Sequence, residues 1–171
     1  MARSTPLQAV LQSRFLIIGY GNELRGDDAV GSRVADTIAG WHLPSVKTIS
    51  THQLTPELVN DIVLTDYVIF IDACSGSSCA RTVQLDPIVV GNHAAFAAKG
   101  AHSHSPFSLM TLTQQLYGRI PQAWLLQVPT ESLGYGEELS STTERGCDRA
   151  IRTIEQFLRT YQPSRWMKQS A

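Results

Sequence analysis

The chain has 171 residues, 43% hydrophobic and 17% charged, a size and apolar content suited to one domain with a substantial core. A formal net charge of -1 leaves no basic excess, which argues against nucleic acid or anionic membrane and points to a protein as any macromolecular partner. No apolar run approaches the ~18 residues of a membrane span, and residues 1–13 lack the apolar stretch of a secretory signal, so the expected compartment is the cytoplasm.

Phe15-Leu16-Ile17-Ile18 is a short continuous apolar run, followed by Val30, Val34, Ile38 and Trp41 at helical spacing. The pattern reads as strand, glycine turn, helix, with Gly40 and Pro44 ending the helix. Val46–Ser50 reads as a second strand, and Thr55 with Pro56 opens a short helix through Leu64. Tyr67–Ile71 is apolar at every position, as a central parallel strand covered on both faces should be, and it runs into Asp72. Thr82–Leu85 reads as an edge strand, and residues 87–106 as a long loop without periodicity. A helix opening near Pro106, a strand over Trp124–Val128 and a final helix from the Ser141/Glu144 capping-box spacing complete the chain. Alternation of strands and helices predicts a three-layer α/β/α sandwich around a mostly parallel twisted sheet of about five strands, with one edge strand antiparallel. Residues 1–171 are expected to form that single domain, with flexible ends at about 1–13 and 163–171.

Ligands of such sheets gather beyond the carboxyl ends of the strands. Three of those ends are polar: Asn22 through Asp28, His52-Gln53, and Asp72. The segment GYGNELRGDDAVG, from Gly19 to Gly31, has the outline of a dinucleotide turn, yet Leu24 stands where the fingerprint needs a third glycine. Asp27 and Asp28 would also repel a pyrophosphate at the helix N-terminus. Asp28 and Asp72 fall on one rim of the sheet although far apart in sequence. A carboxylate at the end of a buried strand needs a charge partner, hydrogen bonds or a metal. Two carboxylates and an imidazole suit a borderline divalent ion such as nickel or zinc. His42 and His93 read as surface residues, while His102 and His104 lie just before a helix and are better placed. Gly21, Asn22, Asp27, His52 and Gln53 share the rim and are candidates for binding substrate. Cys74, Cys79 and Cys147 are odd in number and lack CxxC spacing, which reads as reduced, buried thiols. There is no HExxH and no GxSxG.

Together these residues resemble the hydrogenase maturation proteases, endopeptidases that trim the C-terminus of the large subunit of nickel-iron hydrogenases. GYGNELRGDDAVG is similar to that family's N-terminal signature, and IDAC (Ile71–Cys74) to its second acidic motif. The segments THQLTPEL, SPFSLMTLTQQLYG and GYGEELS look closest to cyanobacterial-type members. The resemblance implies Asp28 and Asp72 as nickel-binding acids with a catalytic role, and a histidine four residues before a helix-opening proline, which selects His102, with His104 the alternative. Some members carry glutamate at the first acidic position. It further implies, as partner and substrate, a large-subunit precursor that already carries nickel. The metal is then borne by the substrate and absent from the protease at rest, and the protease acts as a monomer. Two other readings stay open: a germination-type protease acting without nickel, and a nickel-binding chaperone that grips the precursor without cutting it.

Overall fold

Apolar residues alternate between two directions along each strand, and that alternation builds two cores. The computed structural model describes residues 13–91, 104–131, 134–136 and 138–162. Its strands are β1 (Phe15–Tyr20), β2 (Val46–Thr51), β3 (Tyr67–Cys74), β4 (Gln84–Ile88) and β5 (Gln122–Pro129). They form one five-stranded sheet in the order β2-β1-β3-β5-β4. All neighbours are parallel except β4, which runs antiparallel along β5 at the edge. Pro87 lies in that edge strand, where its missing N–H costs no interior ladder bond.

The helices are α1 (Val30–Ala39), α2 (Val59–Ile62), α3 (Pro106–Tyr117) and α4 (Ser141–Tyr161). Phe15, Ile17, Ile69, Ile71, Leu126 and Val128 face α1 and α4, meeting Val34, Ile38, Ala150, Ile154 and Leu158. Leu16, Ile18, Val68 and Phe70 face the other way, onto Leu58, Val59, Ile62, Leu109 and Met110 of α2 and α3 and their approaches. The three-layer arrangement is therefore as expected from the sequence. Each fully buried Ile, Leu or Phe contributes roughly 1.5–3 kcal/mol of apolar burial before conformational entropy is charged against it.

Local details differ from the sequence reading in four places, the first being the edge strand, which runs Gln84–Ile88 rather than Thr82–Leu85 and so takes in Pro87 from the expected loop. The residue capping α4 is Ser140, one position earlier than expected, because its Oγ is the acceptor for the Thr143 amide at 3.3 Å. The segment after Thr55 is a 3-10 turn over Pro56–Leu58 leading into a single α-turn that stops at Ile62, short of Leu64. Cys74 and Cys79 are paired in a disulfide, Cα atoms 5.7 Å apart, where the sequence suggested free thiols. The chain reverses at Gly76 (φ 89°), with the Cys79 amide donating to the Gly76 carbonyl, and so returns Cys79 to the end of β3. Cys147 is a buried free thiol, as expected.

Candidate active site

The site forms where β1 hands the chain to α1. Gly19 and Gly31 are required by contact: a Cβ on Gly19 would meet the Gly31 carbonyl oxygen at 1.9 Å, and one on Gly31 would meet the Ile71 oxygen at 2.6 Å. These glycines let α1 lie directly on β1 and β3, which draws the following turn over the end of the sheet. Gly21 has φ +146° and would press a Cβ against the Asp28 carbonyl oxygen at 2.0 Å, a conformation and a closeness that only glycine permits. The Asn22 side-chain oxygen accepts the Leu24 amide at 2.9 Å, and the Asn22 amide donates to Asp28 Oδ2 at 2.8 Å. One carboxylate oxygen of Asp28 is thus committed to shaping the turn.

Asp27 and Asp28 diverge. Asp27 is 1% exposed. Its oxygens accept the Ser140 amide at 2.6 Å, the Ser140 hydroxyl at 2.8 Å and the Glu131 amide at 2.9 Å. A buried carboxylate is tolerable when it is satisfied in this way. It anchors the segment that leads into α4 to the first turn, and the Arg25–Gly136 bridge reinforces that seam. Asp28 is half-buried and faces Tyr20 and Asp72.

Tyr20 and Asp72 meet because of register. Gly19 pairs with Ile71 across β1 and β3, so the next residues, Tyr20 and Asp72, stand side by side, both on the α2/α3 face by alternation. The Tyr20 hydroxyl and the Asp72 carboxylate are close enough there to influence one another's protonation. Burial pushes Asp72 up to about 6; the Tyr20 hydroxyl opposes that rise, and the Asp28 charge adds to it. Burial likewise drives the Tyr20 phenol well above its ordinary value, with further contributions from Asp72 and Asp28. The result is two carboxylates and a phenol that stays protonated, with one carboxyl able to exchange a proton near neutrality. Tyr20 escaped the sequence reading, although the parallel register of two apolar strands ending in Tyr20 and Asp72 carried the signal.

The remaining candidates are distributed around this centre. The Gly21 amide donates to the Thr51 carbonyl at 3.2 Å, which brings the loop of His52 and Gln53, both exposed, alongside the first turn. His104 is exposed just before α3, whose capping box joins Ser105 and Ser108. It lies near Glu57, whose carboxyl is held below its ordinary value by backbone and Thr55 hydrogen bonds, with a smaller contribution from the His104 charge. Among the described residues, no group of three His, Cys, Asp or Glu side chains is arranged to hold a metal. His102 and His93 lie outside the described residues. Among the described residues, no helix is long and apolar enough to cross a membrane.

No protein-family model matches the chain, and no curated protein matches it significantly. Solved structures do. The [NiFe] hydrogenase maturation protease HybD from Thermococcus kodakarensis superposes with a TM-score of 0.68 at 20% identity, covering 84% of this chain and 98% of that one. The hydrogenase maturating endopeptidase HybD from E. coli gives 0.68 at 22% identity, covering 86% and 93%. The [NiFe] hydrogenase maturation protease HycI from Thermococcus kodakarensis KOD1 gives 0.67 at 24% identity, covering 88% and 95%. Nearly the whole length of each of these proteins is thus matched, and the chain has the fold seen in these hydrogenase maturation proteases.

Proposed function

We propose that the chain is an endopeptidase that removes the C-terminal extension from the nickel-loaded large-subunit precursor of a nickel-iron hydrogenase. The observation that carries the reading is the convergence of Asp28, Tyr20 and Asp72 on one rim of the sheet, with Asp72 raised to about 6. The motifs GYGNELRGDDAVG and IDAC, and the shared fold, support the choice of substrate. The cyanobacterial likeness rests on sequence segments alone. The protein acts as a cytoplasmic monomer on this reading, and nickel arrives with the substrate as its recognition element. Asp28 and Asp72 supply oxygen donors towards it, and His102 is the histidine the resemblance selects.

The chain's own groups suit amide hydrolysis. Asp28 takes a proton from water as the water oxygen bonds to the scissile carbonyl carbon. Asp72, protonated in part of the population, gives its proton to the departing amide nitrogen as the C–N bond breaks. A carboxyl near 6 can alternate between these states, whereas an ordinary solvated aspartate is almost wholly ionised at neutral pH. The Tyr20 phenol holds the Asp72 carboxylate in place. Gly21, Asn22, His52 and Gln53 line the approach and bind the substrate backbone; Asp27 supports that wall from behind.

The test is intact-mass spectrometry of a nickel-iron hydrogenase large-subunit precursor incubated with the protein, with and without nickel loading. Loss of the C-terminal extension from loaded precursor alone is the expected result. Equal cutting of both forms would favour the nickel-independent protease, and stable complex formation with an intact C-terminus would favour the chaperone.

A further inference from the structure

A second feature lies on the opposite face of the sheet from Asp72. A cleft of about 730 Å³ runs between α4 and the chain entering β4, and its walls carry Arg81, Arg145, Arg149 and Arg152. Asp148 is the one acid on those walls. Arg145, Arg149 and Arg152 follow at spacings of four and three on α4, so they share one helix face. That face is turned away from the apolar stripe of Cys147, Ala150, Ile154 and Leu158 that packs on the sheet. Arg81 is contributed from the segment just after the Cys74–Cys79 disulfide.

Arg145 donates to the Thr142 hydroxyl at 3.4 Å, and none of the four guanidiniums is in an ion pair among the described residues. The ion pairs there join Arg14 to Asp66, Lys47 to Asp61 and Arg159 to Glu155. Concentrating like charges outside any ion pair costs free energy that a ligand of opposite charge would recover. Residues 1–12, 92–103 and 163–171 contain no Asp or Glu that could supply it, and Glu137 stands next to Glu138 in the segment tied to the first turn by the Arg25–Gly136 bridge.

We propose that this cleft binds an acidic segment of a partner protein, in extended form, through carboxylate–guanidinium pairs. From Arg145 to Arg152 the helix rises roughly 10 Å, a reach of about three extended residues, and Arg81 widens the grip from the opposite wall. The planar forks of arginine suit bidentate pairing with carboxylates. Nucleic acid fits less well: the lining contains no aromatic side chain on which a base could stack, and the whole chain carries a formal net charge of -1. The site is distinct from the acid rim and does not depend on the proteolytic reading.

Fluorescence anisotropy with fluorescein-labelled hexaglutamate tests it on the full chain. Expected is saturable binding that weakens with added KCl, falls at least tenfold in Arg149→Gln/Arg152→Gln and is unchanged in Arg119→Gln, which lies outside the cleft. The exposed positions of both arginines leave the fold intact, which a thermal melt verifies. The charge-reversed Arg149→Glu/Arg152→Glu should then prefer labelled hexalysine. Absence of saturable hexaglutamate binding overturns the proposal, as does equal binding by the double variant. Tighter binding of a single-stranded DNA hexamer than of hexaglutamate would overturn it in favour of nucleic acid.

Discussion

The two sides of the first turn make opposite use of the same chemical group. On one side Asp27 is sealed from solvent, with both oxygens committed to the amide and hydroxyl of Ser140 and the amide of Glu131. On the other, Asp28 spends one oxygen on the Asn22 amide and faces Tyr20 and Asp72 across a half-open rim. A satisfied buried carboxylate has its charge balanced in place and contributes stability. A carboxylate opposed by a second carboxyl in a poorly solvated rim is held at a cost, the pattern seen where proton transfer is done. Adjacent aspartates in a sequence therefore need not share a role, and the helix start separates them.

The comparison can be pressed hardest at Asp72. Asp72→Asn should lower the rate of precursor cleavage by about a thousandfold while leaving the protein folded, because it removes the proton donor and nothing from the core. Single-turnover cleavage alongside a circular-dichroism melt checks both halves. Asp27→Ala should act in the opposite sense, destabilising by about 3 kcal/mol in urea unfolding, since it removes a buried acceptor of three hydrogen bonds, two of them from the Glu131 and Ser140 amides.

The pH dependence of stability sharpens the contrast. Asp72 is raised from 3.8 to about 6, so the folded protein keeps a proton that the unfolded chain releases. The associated stability is fully present below pH 3.8 and is lost as pH rises through about 6, an effect on the order of 3 kcal/mol for the isolated group. Urea midpoints between pH 4 and 7 should therefore rise with pH less steeply in wild type than in Asp72→Asn, and parallel curves would remove the basis for the raised value. The smallest effect is expected from Ser140→Ala, about 1 kcal/mol, because the residue both caps α4 and bonds to Asp27. Its cleavage rate should match wild type per folded molecule.

Much of this arrangement is legible in the sequence. The all-apolar YVIFI run and the FLIIG run name two central strands, and parallel placement alone carries Asp28 and Asp72 to one rim. What was not legible depends on contacts distant in sequence. The partners of Asp27 lie more than a hundred residues away, which periodicity cannot register. Pairing of Cys74 with Cys79 depends on the reversal at Gly76, and the cleft needs Arg81 brought against a helix that begins sixty residues later. Tyr20 is an intermediate case, since its meeting with Asp72 follows once the register of β1 on β3 is known.

The most direct measurement sets Asp27→Asn beside Asp28→Asn in one assay, following the mass of nickel-loaded large-subunit precursor over time and normalising to folded enzyme. The account predicts that Asp27→Asn cleaves within severalfold of wild type, whereas Asp28→Asn leaves the precursor intact. Cleavage by Asp28→Asn at the wild-type rate, or loss of cleavage confined to Asp27→Asn, would contradict it.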